Sequence, residues 1–73
     1  IPVQKDINTL LNPEVKQAEL VISSTVGERL IKATVTPDKN NVATLDLSKL
    51  NPGTYKLTVY TSKGNHTQMF IKR

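Results

Sequence analysis

This 73-residue chain contains no cysteine and no tryptophan, and its aromatic residues are limited to two tyrosines and one phenylalanine. Without cysteine it cannot form a disulfide or a thiolate metal site, which excludes the small disulfide-rich secreted scaffolds. Its apolar runs do not exceed three residues, too few for a membrane span or a signal peptide. Because a chain of this length folds as one domain, we expect residues 1–73 to form a single unit. It begins with Ile1 rather than methionine, so we expect it to be part of a longer protein.

Acidic residues are absent after Asp46, and the chain as a whole carries a net charge of +4. Up to Asp46, six acids face five bases, a net charge of −1; beyond it, five bases and no acid give +5. Such a basic segment attracts nucleic acid, an anionic membrane or an acidic protein surface. It is equally consistent with a solvated strand face that discourages aggregation between sheet edges. The five bases are Lys49, Lys56, Lys63, Lys72 and Arg73.

The sequence lacks the residue sets that catalysis and metal binding require. The single histidine, His66, has no second histidine or cysteine with which to form a metal site. The loop around Asp38 lacks the ligand spacing and the closing acid of a calcium-binding loop. No nucleophile with a neighbouring base and no glycine-rich phosphate loop is recognisable. We therefore predict a protein that is not an enzyme, with no catalytic residues, no cofactor and no metal.

Binding of nucleic acid or carbohydrate is poorly supported by the aromatic residues. Single-strand binders stack bases on aromatic side chains in a basic groove. Here Tyr55 is expected to point into the core and Tyr60 outward, which leaves few stacking platforms. We expect no nucleic-acid partner, although the basic segment keeps that hypothesis open as a weaker alternative.

The most regular strand signal is a hairpin at the end of the sequence. Asn51-Pro52-Gly53 predicts a turn, since proline presets φ and glycine accepts positive φ. Apolar residues then alternate with polar ones through Tyr55, Leu57 and Val59, the pattern of a half-buried strand. A second turn at 62–65 leads into a return strand over 66–72 that carries Met69, Phe70 and Ile71. A strong strand pattern at the end of the sequence suggests a functional terminus, because chain ends usually fray.

The rest of the sequence predicts further short strands separated by turns. Alternation predicts strands at 18–24, at 30–36 and over the apolar positions 43, 45 and 47, with a short one near 6–11. Gly27 and the 37–41 loop supply turns. No segment has a sustained helical period. This spacing predicts an all-β fold, an immunoglobulin-like antiparallel sandwich of about six to seven strands with Greek-key connections.

Several segments together resemble a known family. They are Ala18-Glu19-Leu20-Val21-Ile22, Gly27, Leu47-Ser48-Lys49-Leu50-Asn51-Pro52-Gly53-Thr54-Tyr55-Lys56-Leu57 and Met69-Phe70-Ile71-Lys72-Arg73. The set is similar to the type A C-terminal sorting domain of type IX secretion cargo. In that family a Gly-x-Tyr motif precedes a closing apolar strand that ends in lysine or arginine. The resemblance covers about residues 14–73 and is strongest in the last part.

The resemblance implies a non-catalytic sorting signal at the end of a larger secreted protein. Such a domain is recognised in the periplasm and passed to an outer-membrane shuttle and the type IX translocon. The cargo then reaches the cell surface or the extracellular space, often after cleavage by a sortase-like surface protease. The alternative is a generic immunoglobulin-like or fibronectin-like adhesion or spacer module of a surface protein. Self-association through an edge strand is a further expectation.

The resemblance also implies roles for individual residues. The expected recognition residues are Met69, Phe70, Ile71, Lys72 and Arg73, with the charges of Lys72 and Arg73 standing free for an acidic receptor groove. The expected structural residues are Gly27, Pro52, Gly53, Tyr55 and Leu57, which shape turns and anchor the hairpin.

Overall fold

The structure, a computed structural model, describes residues 2–3 and 5–73, with side chains described from Lys5 onward. It is all-β and contains no helix within these ranges. The strands are β1 (Pro2–Val3), β2 (Asp6–Leu10), β3 (Ala18–Ser24), β4 (Arg29–Val35), β5 (Val42–Asp46), β6 (Gly53–Thr61) and β7 (Gly64–Lys72). The described part of the chain therefore has no helix with the length and apolarity that a membrane span requires.

The strands form two sheets of unequal size. The larger sheet has the order β1-β7-β6-β3-β4, and the smaller one pairs β2 with β5. All pairs are antiparallel except the short pairing of β1 with β7. Because β6 and β3 are central, the hairpin of β6 and β7 joins directly to the β3–β4 hairpin. The chain crosses between the sheets after β1, β2, β4 and β5.

The core lies between the two sheets and is built from inward-facing residues of β2, β3, β5, β6 and β7. Leu20, Ile22 and Leu57 are fully buried on the inner face of the larger sheet. The smaller sheet covers them with Ile7, Ala43 and neighbouring apolar residues. Alternation of side chains across a strand makes this possible, since every second residue faces the same way. The buried cluster comprises Ile7, Leu11, Val15, Ala18, Leu20, Ile22, Ala43, Leu45, Leu47, Leu57, Val59 and Phe70, and Val21 is buried outside this cluster.

The all-β sandwich expected from the sequence is confirmed, and the bounds of β3 coincide with the prediction. The predicted 30–36 strand begins one residue earlier, at Arg29. The strand expected near residues 6–11 is present as β2. The predicted alternating face is present: Ile7 is buried, Thr9 is half-buried, and Leu11, which directly follows the strand, is buried. The Greek-key connections and the single-domain boundary stay predictions.

Candidate recognition surface

The hairpin formed by β6 and β7 is paired along its whole length, from Gly53 opposite Lys72 to Thr61 opposite Gly64. Ser62 and Lys63 form the two-residue loop between the strands. The Thr61 hydroxyl fixes this loop, since it accepts a hydrogen bond from the Lys63 N–H (3.1 Å) and donates one to the Gly64 carbonyl (3.0 Å). Gly64 has a φ of 123°, a conformation that favours glycine. The loop therefore holds both strands in one register.

Tyr55 anchors the other end of the hairpin. Its ring packs against the core and lies 5.8 Å, centroid to centroid, from the ring of Phe70, its cross-strand partner. Its hydroxyl donates a hydrogen bond to the carbonyl of Asn51 in the preceding turn. The ring extends over Gly53, where an added Cβ would lie 3.8 Å from the nearest ring atoms. The Gly-x-Tyr segment thus ties the turn at Pro52 to the first residues of β6.

The five predicted recognition residues divide between the two faces of the larger sheet. Phe70 faces the core and is 1% exposed, and Lys72 follows it on the same face at 8% exposure. Met69 and Ile71 point to the outer face and are 54% and 50% exposed. Arg73, which follows the strand, is also exposed.

The expectation that both terminal charges stand free is wrong for Lys72. Its position two residues after Phe70 places it on the inner face, because side chains alternate along a strand. Its Nζ donates a hydrogen bond to the Arg73 main-chain oxygen at 3.3 Å in a partly buried position. Opposite it in the register stands Gly53, which has no side chain to compete for the space. Arg73 is exposed and forms no ion pair with a described residue.

We use the name terminal patch for three exposed residues at the end of β7, Met69, Ile71 and Arg73, together with Lys56, a half-buried residue of β6. Lys56 is the cross-strand partner of Met69 on β6. Neither Lys56 nor Arg73 takes part in an ion pair with any described residue. The patch therefore combines two exposed apolar side chains with two positive charges that no described acid neutralises.

Elsewhere on the surface, two lysines are paired with acids. Lys63 lies 2.9 Å from Glu14, and Lys32 lies 3.9 Å from Glu19. Exposed ion pairs of this kind contribute little to stability, but they neutralise charge locally. The uncompensated positive charge of the hairpin is consequently concentrated at the end that carries the terminal patch, away from the loop at Lys63.

The described residues contain no cluster of three or more histidine or acidic side chains that could hold a metal ion. The described part of the surface includes two shallow grooves. One, of about 240 Å³, lies between the end of β2 and the loop of the β6–β7 hairpin, beside His66. The other, of about 450 Å³, lies between β4 and the turn after β5, beside Asp46. Hydrogen bonds from the Ser48 N–H (2.9 Å) and the Ser48 hydroxyl hold the pKa of Asp46 below its ordinary value, which is typical of a turn.

The fold and the terminal patch together define a small β-sandwich module that exposes a basic and apolar surface on its last strand. A comparison with protein-family models matches residues 1–73 to the secretion system C-terminal sorting domain. The chain belongs to this family, the C-terminal sorting domains of type IX secretion. Comparisons with curated proteins and with solved structures found no match.

Membership of this family confirms the resemblance seen in the sequence. It identifies the chain as a sorting signal of type IX secretion, which implies interaction with that secretion machinery. It also implies export to the cell surface or the extracellular space.

One feature near the terminal patch was not predicted from the sequence. β1 pairs with the end of β7, placing Pro2 opposite Ile71 and Val3 opposite Lys72. A two-residue strand has no periodicity to detect, and the presence of Pro2 argued only against a central position. Because of β1, the backbone at Ile71 and Lys72 is held on both sides.

Proposed function

We propose that the chain is the non-catalytic C-terminal sorting domain of a larger secreted protein, and that the type IX machinery recognises it through the terminal patch. The folded domain is met in the periplasm by an outer-membrane shuttle, which delivers the cargo to the translocon. A sortase-like surface protease then acts on the exported cargo, which remains at the cell surface or is released. The structural observation that supports the patch as the recognition site is the exposure of Met69, Ile71 and Arg73 at the end of β7, a strand that pairs with β6 along its whole length and with β1 at Ile71 and Lys72.

Rigidity is what makes these exposed side chains suitable for recognition. The backbone of Ile71 is held between β1 and β6, and Phe70 fixes the strand from the inside. Side chains on a paired strand lose less conformational entropy on binding than side chains on a free tail. A partner therefore meets Met69 and Ile71 in a preformed arrangement.

The chemistry of the patch defines the surface that fits it. Two exposed apolar side chains favour an apolar groove, and Arg73 favours a carboxylate, with which a guanidinium forms paired hydrogen bonds. Lys56 adds a second positive charge beside Met69. We infer a receptor groove with an apolar floor and an acidic rim.

The remaining predicted residues support the patch from within. Phe70 and Leu57 are buried in the core, so they orient the strand rather than contact a receptor. Lys72 donates its hydrogen bond to the main-chain oxygen of Arg73 and so helps to position that residue. Pro52 and Gly53 form the entry to β6, and Gly27, with a φ of 90°, forms the turn between β3 and β4.

The experiment is to fuse residues 1–73 to a passenger protein in a host that has this machinery and to follow export. Deleting residues 69–73 would be ambiguous, since it also removes Phe70 from the core. The sharper variant combines Met69→Ser, Ile71→Thr and Arg73→Glu, which alter only exposed side chains. A matched control makes the same kinds of change at exposed positions elsewhere: Leu10→Ser, Val26→Thr and Lys39→Glu.

We expect the patch variant to fold normally and to leave the passenger inside the cell envelope, while the control variant is exported. Folding of both is checked by circular dichroism of the purified domains. Normal export of a folded patch variant would contradict recognition through the patch. If the isolated wild-type domain also failed to direct export, the sorting function itself would be contradicted and the adhesion or spacer alternative would be favoured.

A further inference from the structure

The edge of the larger sheet at β7 is open over most of its length. In the described part of the chain, β1 pairs with β7 only at Ile71 and Lys72. On the side away from β6, residues 64–70 therefore have no strand partner among the described residues. Open edges are sites at which another strand adds by main-chain hydrogen bonding.

The register shows which main-chain groups are available at this edge. Thr61 and Gly64 flank the two-residue loop and form the first hydrogen-bonded pair of the ladder. Antiparallel pairs alternate between hydrogen-bonded and non-hydrogen-bonded, so the N–H and C=O groups of Asn65, Thr67 and Met69 point away from β6. Thr58 and Thr67 face each other as a pair without main-chain hydrogen bonds, the type in which side chains lie close together. Accordingly, their hydroxyls are 3.0 Å apart and hydrogen-bond to each other.

This edge lacks the features that usually protect one. Protected edges carry lysine or proline, contain a bulge, or are very short. Residues 64–70, the part of β7 that β1 leaves open, contain no lysine and no proline, and the pairing of β7 with β6 has no register shift. The lysine of this strand, Lys72, lies beyond the open part, where β1 pairs with β7. The other edge, β4, differs: it carries Arg29 and Lys32, and its pairing with β3 shifts register after Ile22. The contrast indicates that the β7 edge is suited to accept a partner.

We propose that the β7 edge binds an extended, acidic segment of a partner protein, which adds to the sheet beside Asn65, Thr67 and Met69. The charge of the hairpin favours this occupant: β6 and β7 contain no acid, and Lys56 and Arg73 have no ion pair with a described residue. A second copy of the chain is disfavoured, because pairing of two β7 strands would place two positively charged hairpins side by side. The inference rests on the proposed function only for the identity of the partner, a component of the export machinery.

The test uses the 73-residue chain and a synthetic peptide of alternating valine and glutamate, with a valine–lysine peptide as the charge control. Hydrogen exchange is followed by NMR for individual amides of β7. In the free protein we expect Asn65, Thr67 and Met69 to exchange quickly, since their N–H groups are unpaired, and the intervening amides to exchange slowly. The acidic peptide should slow the first set selectively, and the basic peptide should not.

Two variants at one position sharpen the result. Thr67→Pro removes the outward N–H without breaking a bond to β6, a substitution that edge strands tolerate. Thr67→Val removes the same hydroxyl and keeps the N–H. We expect Thr67→Pro to weaken acidic-peptide binding about tenfold, the effect of losing one main-chain hydrogen bond and local pairing, and Thr67→Val to bind like the wild type.

Three results would overturn the inference: unchanged exchange of the outward amides at saturating acidic peptide, equal binding of the basic peptide, or protection that appears with rising protein concentration in the absence of peptide. The last would identify a second copy as the occupant. Export of a passenger carrying Thr67→Pro separates this inference from the proposed function. Normal export with lost peptide binding would contradict a role for the edge in sorting, while the terminal-patch experiment would be unaffected.

Discussion

Tyr55 shows how one side chain serves both the core and the turn. Its ring packs on Phe70 and its hydroxyl donates to the Asn51 carbonyl. We expect Tyr55→Phe to lower the free energy of unfolding by about 1 kcal/mol, the net contribution of one hydrogen bond. Tyr55→Ala should cost about 3 kcal/mol, since it also empties the ring site. Chemical denaturation measures both, with the exposed Tyr60→Phe as the control. A Tyr55→Phe variant as stable as wild type would show that the hydrogen bond contributes nothing.

Lys72 and Arg73 are adjacent bases in different environments. Lys72 is buried with a single hydrogen bond, whereas Arg73 is exposed. Replacing a buried charge by an apolar residue of similar shape is often neutral or stabilising. We therefore expect Lys72→Met to unfold at the same or a higher denaturant concentration and to retain export. Arg73→Met should leave stability within about 0.5 kcal/mol and reduce export. Loss of export in Lys72→Met but not in Arg73→Met would show that Lys72, and not Arg73, is the residue that the machinery recognises.

The inward orientation of Lys72 could have been predicted from the alternation of side chains along a strand. Phe70 is the residue most suited to the core in the last segment, and a residue two positions away on a strand faces the same side. Treating Met69, Phe70 and Ile71 as one apolar block concealed that alternation. By contrast, the orientations of Tyr55 and Tyr60 were predicted correctly, because the clear alternation around Leu57 sets the face of each residue. The face on which a side chain lies could thus be predicted wherever polar and apolar residues alternate strictly.

At the scale of elements, local pattern predicted the hairpins and not the pairings between distant strands. β3 and the β6–β7 hairpin follow from β-branched residues, alternation and turn residues close together in sequence. The pairing of β1 with β7 joins residues at opposite ends of the chain and has no local signal. The pairing of β2 with β5 is likewise long-range. For this reason the position of residues 69–73 at the end of a hairpin strand was predictable, whereas the pairing of β1 with Ile71 and Lys72 was not.

We expect the turn after β5 to make a pH-dependent contribution to stability. The carboxylate of Asp46 accepts hydrogen bonds from Ser48, which hold its pKa below 3.8, and Lys5 and Lys49 act in the same direction. A group whose pKa is lowered by folding stabilises the fold above its ordinary pKa, and loses that contribution as the pH falls through the folded-state value. We expect Asp46→Ala to be less stable than wild type at neutral pH, and the difference to shrink below pH 3.8. Denaturation midpoints at several pH values test this. A difference independent of pH would assign the effect to something other than the charge.

At the scale of the whole molecule, the two sheets depend on each other. A two-stranded sheet is at best marginally stable alone, and a domain of this size buries only a limited core. The smaller sheet nevertheless supplies Ile7, Ala43 and Leu45 to the core that covers Leu20 and the β6–β7 hairpin. The orientation of the terminal patch should therefore depend on residues in the opposite sheet that no receptor contacts.

Leu45→Ala tests this dependence across the core. Removing a buried leucine side chain costs about 2–5 kcal/mol, a large share of the stability available to so small a domain. We expect the loss to appear equally in two probes: far-UV circular dichroism for both sheets, and near-UV circular dichroism, to which Tyr55 in the larger sheet contributes. Leu10→Ala, at an exposed position on the neighbouring strand β2, serves as the control and should change the stability little. If the near-UV transition kept its wild-type midpoint while the far-UV signal fell earlier, the sheets would unfold separately. The β6–β7 hairpin would then retain its packing without the smaller sheet, and the cooperative sandwich inferred from the shared core would be contradicted.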